Sequence, residues 1–278
     1  MTTANNVLRP VTSRGWLRGF ANLLDHEHHL WWGGRKWLLQ LLIWVVLLNG
    51  SVAFLGIAAL ASKDELKETG APELTPESIY MMEIQLFFQF ASICTAVGAV
   101  ISAQGAIIQE KQMGTAAWIL SKPVSRTAFV LAKLLAHSFA FLVLAVVATA
   151  IVFCGEIYLL AGIVPAPLDL LAGMGLWALL VLFYLTLAIM LGTFFNSRGA
   201  VLGIALGFMF AGFVIPNALP DAAMFFPWML GEIALVLALG TRAPQPLPST
   251  AIIPVIATIL WIVIFVVAAI WRFGKEEF

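Results

Sequence analysis

Residues 109–133 read QEKQMGTAAWILSKPVSRTAFVLAK, and how this stretch is read decides the fold. It lies between two long apolar runs, at about 83–108 and 128–153, and it mixes charge, a helical pattern and turn residues. Each flanking run exceeds the roughly 20 residues that cross a bilayer core of about 30 Å, so the stretch connects two spans. Gln109–Leu120 can form a short helix, with Glu110 in the first turn where the helix dipole favours a carboxylate. On that helix Met113, Ala117 and Leu120 make an apolar strip, Trp118 is an interface anchor, and Gly114 lets another backbone approach closely. Ser121-Lys122-Pro123 then stops the helix, because proline cannot donate to a continuing turn. Ser125 is placed to cap the span that follows, and Arg126 and Lys133 can reach phosphate headgroups or a partner's acids.

The rest of the chain has the same character. Of its 278 residues 62% are hydrophobic and 11% charged, with a mean hydropathy of +0.98, more apolar surface than a soluble domain can hide. Further runs at about 37–61, 169–195, 199–219 and 252–271 complete an all-α integral membrane protein of six spans in one polytopic domain, 1–278. Residues 1–36 are too polar, and too long before the first run, for a cleaved signal peptide. Within them Trp16, Phe20, Leu23 and Leu24 recur at helical spacing, with Arg14, Arg18, Asn22 and Asp25 on other faces. That pattern suits an amphipathic helix lying in the plane of the membrane against lipid. Trp31, Trp32 and Trp37 flank a bend at Gly33-Gly34 into the first span. Residues 222–240 contain Pro227, Gly231 and Glu232, so their unbroken apolar part is short, and a re-entrant or interfacial helix at the outer face is expected. Glu232 is assigned there to the outer interface, ahead of a role as an intramembrane acid.

Charge placement supports this topology. With both termini inside, Arg9, Arg14, Arg18, Arg35, Lys36, Lys111, Lys122, Arg126, Lys133, Arg198, Arg272 and Lys275 fall on the cytoplasmic side, 12 of the 15 basic residues, and Lys63, Lys67 and Arg242 fall outside. The expected location is the cytoplasmic membrane. Net charge is zero, which gives no reason to expect a nucleic-acid partner. Cys94 and Cys154 lie inside apolar runs and define no disulfide or metal framework.

Polar and small residues within the spans mark candidate sites. Gln85, Gln89 and Ser92 share a stripe of the second span, suited to interhelical hydrogen bonds or to lining a pathway. Gly199, Gly203, Gly207 and Ala211 recur every four residues on the fifth and clear a groove for another helix, within the chain or from a second subunit. His26, Glu27, His28 and His29 cluster before the first span, but no second cluster supplies the ligands a zinc site needs, so no metal is assigned. His137, alone in the third span, is read as a packing or headgroup residue.

Glu110, Gly114-Thr115, Leu120-Ser121-Lys122-Pro123-Val124-Ser125-Arg126 and Lys133 together resemble the signature between the second and third spans of type-2 ABC exporter permeases. The six spans, the in-plane helix, the long first outer loop and the broken segment before the last span extend the resemblance over nearly the whole chain. It implies that residues 109–127 are a cytoplasmic coupling helix seated on a nucleotide-binding subunit, with Glu110, Gly114, Thr115, Trp118, Pro123 and Arg126 forming or shaping the contact. It also implies a second permease subunit, identical or similar. No G-x-x-x-x-G-K-[ST] loop occurs, so ATP and Mg would be bound by a separate ATPase and this chain would be no enzyme. A partner-free secondary transporter or channel is the alternative. It would need ionisable residues at mid-membrane, and the spans show no Asp, Lys or Arg at their centres.

Overall fold

The computed structural model describes residues 15–63 and 73–276. Arg9, Arg14 and Lys67, with most of the first outer connector, lie outside the described residues. Six helices among those described are long and apolar enough to cross a membrane, and no strand accompanies them.

A helix α1, Phe20–Trp32, precedes the first of these and breaks at Gly33, after which α2 runs Lys36–Ala61. The second crossing is α3, Pro76–Ala103. It starts earlier than the hydrophobicity suggests because Thr75 and Ser78 form a capping box around Pro76, which fixes the first turn among polar residues. After a turn at residues 104–107 the connector follows as two pieces, α4, Ile108–Gln112, and α5, Thr115–Leu120. The single helix expected over Gln109–Leu120 is broken at Gly114, whose φ of 70° turns the chain as only glycine does without strain.

The third crossing begins with α6, Arg126–Phe141, capped by the Ser125 hydroxyl, which accepts from Ala128 N at 3.1 Å. It passes through a π-helical turn at Leu142–Val147 and continues as α7, Ala148–Ala161. The helix is thus longer at both ends than its apolar run. The fourth and fifth crossings are α8, Pro167–Phe194, and α9, Arg198–Ala218. A short α10, Pro220–Ala223, and a 3-10 turn, Pro227–Met229, lead into α11, Leu230–Leu239. Ten residues span only about 15 Å, half a bilayer core, so α11 does not cross. The last crossing is α12, Ile252–Gly274.

The core is built around α8, which packs on α3, α11 and α12. Two-thirds of its most apolar stretch is buried within the chain, against about one-sixth for α9, so α8 is central and α9 peripheral. Trp177 of α8 is fully buried, donates Nε1–H to Thr95 Oγ1 at 2.9 Å, and meets Phe87 edge-on at 5.5 Å between ring centres. Phe87 stacks in turn on Phe153 at 4.0 Å, tying α3, α7 and α8 together. Gly98 admits Trp44, since a methyl there would lie 2.1 Å from the indole.

Candidate functional site

The connector is fastened to four parts of the chain at one end of the bundle. Its main anchor is Lys133, seven residues or about 10 Å into α6 and buried. The Lys133 ammonium lies 2.7 Å from Glu27 Oε1 of α1 and 2.5 Å from Glu110 Oε1 of α4. Thr115 Oγ1 donates to Glu110 Oε2 at 3.2 Å, so both oxygens of Glu110 are engaged. One cation between two carboxylates satisfies all three groups at a depth where any of them alone would be costly. His137 places Nδ1 2.9 Å from Lys133 O, one turn back, and takes the Trp31 edge on its ring.

Other fastenings surround this anchor. Lys111 Nζ pairs with Glu276 Oε1 at 3.0 Å and donates to Thr193 O at 3.3 Å. Arg272 also pairs with Glu276, at 2.8 Å, and Arg126 donates to Gly274 O at 2.7 Å, so the end of α12 is bound to the connector. Gln112 donates to Asn196 O at 2.9 Å. Ser125 donates its hydroxyl to Trp16 O and its N–H to Arg18 O at 3.0 Å, and Gly19 is closed against Val124, leaving no room for a side chain. What remains outward is a corner made by Met113, Gly114, Trp118, Lys122 and Pro123. Met113 and Trp118 are 68% and 63% exposed, nothing lies within 4 Å of a methyl built at Gly114, and Lys122 lies over the Trp118 ring at 3.4 Å. Beside the corner a cavity of about 580 Å³ opens among Trp31, Lys36, Gln109, Glu110, Trp118 and Lys133.

The structure thus divides the six connector residues singled out in the sequence. Gly114, Trp118 and Pro123 face outward, whereas Glu110, Thr115 and Arg126 turn inward and hold the connector in place. Lys133, expected at headgroups or a partner's acids, is committed inside the chain. Glu27, which clusters in the sequence with three histidines, is its counter-ion. Only the pairing of Lys133 with Glu110 across 23 positions and with Glu27 across 106 reveals either role, and no local pattern encodes it. Among the described residues no group of three or more His, Cys, Asp or Glu side chains is placed to hold a metal.

The other candidates lie along the bundle. Gly199, Gly203 and Gly207 are exposed and Ala211 half-buried, with open space beside Gly203 and Gly207. Gln85 and Gln89 are exposed on α3, while the hydroxyl of Ser92 is buried, has no hydrogen-bond partner, and borders a cleft of about 110 Å³ with Tyr184, Trp228 and Gly231. Trp228 Nε1–H donates to Phe208 O at 3.1 Å, and Phe208 is ten residues or about 15 Å from the end of α9. Trp228 is thereby held against α9 well inside the bundle, ahead of the short α11. The exposed Glu232, in the first turn of α11, is mid-bundle and not at the end, a correction to its expected place at the outer interface.

No curated protein matches the chain. A family of proteins of unknown function, DUF2705, matches residues 67–278, the greater part of the sequence and all of the connector and the five crossings after α2, and the chain belongs to that family.

Proposed function

We propose that the chain is the membrane-spanning permease subunit of an ATP-driven exporter of the type-2 ABC class, with residues 109–127 as the element that receives force from a separate ATPase. The observation that carries this reading is the exposed apolar corner of Met113, Gly114 and Trp118 mounted on an internally neutralised base. A flexible loop would absorb a push. A corner fixed to α1, α6, α8 and α12 moves those helices with it. The basic residues around the corner argue that this end faces the cytoplasm, with both termini. The glycine face of α9 and the exposed Gln85, Gln89 and Glu232 are not covered by their own chain, which suits a second permease copy across a shared path. The cycle we envisage is closure of paired ATPase subunits, rocking of the two permease copies and alternating access between them, driven by contacts that differ in strength between the two states.

A partner-free secondary transporter is the second reading. An acid inside the helices favours it, since Glu83 is buried seven residues into α3 and ion coupling uses acids within the bundle. Mild-detergent purification from the native membrane separates the two. The exporter reading expects a stoichiometric ATP-hydrolysing protein in the eluate, lost in Trp118→Ala. A pure, partnerless eluate without ATPase activity would move the assignment to the secondary transporter.

A further inference from the structure

At the end of the bundle away from the connector, two carboxyl groups lie inside the protein on helices that pack together. Glu83 lies seven residues into α3 and Glu156 five residues before the end of α7. Glu83 is fully buried, and neither of its side-chain oxygens has a hydrogen-bond partner. Asn49 of α2, 4% exposed, donates Nδ2–H to Glu156 Oε2 at 3.2 Å and to Thr149 O at 3.1 Å. Its own Oδ1 is unpartnered, as is Glu156 Oε1. The close fit at Gly56 seals the site, since a methyl there would lie 2.0 Å from Glu83 Oε1 and 3.1 Å from Leu160, one turn beyond Glu156.

Four acceptor oxygens on these three side chains are therefore buried without a hydrogen-bond donor. Among the described residues no cation is within ion-pair distance of Glu83 or Glu156. Other titratable groups on the surrounding helices are Tyr80, Cys94 and Cys154, the exposed Tyr158, and toward the surface Glu77, Asp169 and Arg242. Arg242 is committed to Glu77 at 2.6 Å and lies over the Tyr80 ring at 4.9 Å. An oxygen cluster of this kind needs either a bound cation or a proton, because ionised carboxylates without donors are not stable in such surroundings. Glu156 already accepts from Asn49, as a carboxylate does. Glu83 accepts from nothing, so of the two it is the one left to carry a proton.

The geometry points to a proton-binding site at Glu83, in the buried polar region it shares with Glu156 and Asn49, with the proton carried on the Glu83 carboxyl. Opening α2, α3 and α7 at this end would let water reach the pair and the proton leave, so packing here is linked to proton release. The inference stands whether or not the chain is a permease subunit.

The test is infrared spectroscopy of the full-length protein in phosphatidylcholine vesicles near neutral pH, reading the carbonyl stretch of a protonated carboxyl. We expect that band in the wild type, its loss in Glu83→Gln, and its retention in Glu156→Gln. Glu83→Gln also keeps the shape and supplies a donor, so the protein remains folded. Its thermal midpoint should be insensitive to pH where the wild type's falls as pH rises, because the folded wild type holds a proton that the unfolded chain releases. No protonated-carboxyl band in the wild type, or a band unchanged in Glu83→Gln, would overturn the proposal. So would a carboxylate band that shifts on adding sodium or calcium ions, which would identify a metal cation in place of the proton.

Discussion

At the scale of single residues the connector contains two kinds of side chain that the same motif does not distinguish. Lys133 is a structural ion. Replacing it with Met would leave Glu27 and Glu110 buried and facing one another, and a loss of about 3–5 kcal/mol is expected, read as a lowered unfolding midpoint in detergent. Glu110→Gln should cost less, since Glu27 still pairs the ammonium and Thr115 keeps an acceptor. Met113 and Trp118 are the opposite case. Trp118→Ala and Met113→Ser should each change stability by no more than about 0.5 kcal/mol, as surface substitutions do, while weakening binding of the proposed ATPase. A Trp118→Ala protein as unstable as Lys133→Met would show that the indole supports the fold and does not serve a partner.

At the scale of helices and loops, much was legible because lipid imposes simple rules. Six apolar runs gave six helices, Ser125 gave a cap, Pro123 gave a stop, and the short run with Pro227 and Gly231 gave a ten-residue helix too short to cross. What escaped were features that depend on distant partners or on polar residues drawn into a span. The capping box at Thr75 pulls Glu83 well inside α3, and the π turn lets the third helix run on until Glu156 is inside it too, so hydropathy alone placed both acids at the edge. Gly114 was read as room for a neighbour, whereas its backbone angle makes it the turn between α4 and α5. The glycines of α9 were open to two readings, and their own chain leaves them uncovered. Gly207→Leu should leave the unfolding midpoint within about 0.5 kcal/mol of wild type while disrupting association of two copies, seen by light scattering in detergent. Gly98→Leu should instead destabilise the fold, since Trp44 occupies the space. If Gly207→Leu left association intact, the second copy would have to meet a different face.

At the scale of the whole molecule, the bundle has a rigid, ion-paired end and an acid-bearing end joined through the aromatic packing around Trp177. Removing that indole should cost about 3–5 kcal/mol and uncouple α3, α7 and α8, which meet around it. Force applied at Met113 and Trp118 would reach α8 through Lys111 and Thr193 and reach α6 through Glu110 and Lys133. A molecule built this way moves as a lever only if something pushes on the corner. The decisive measurement is therefore affinity purification of the tagged wild type and of Trp118→Ala from the native membrane, followed by mass spectrometry and an ATPase assay. The permease account predicts a stoichiometric ATP-binding protein and ATP hydrolysis with the wild type, and loss of both with an equally stable Trp118→Ala. A wild-type eluate with neither partner nor ATPase activity would contradict it.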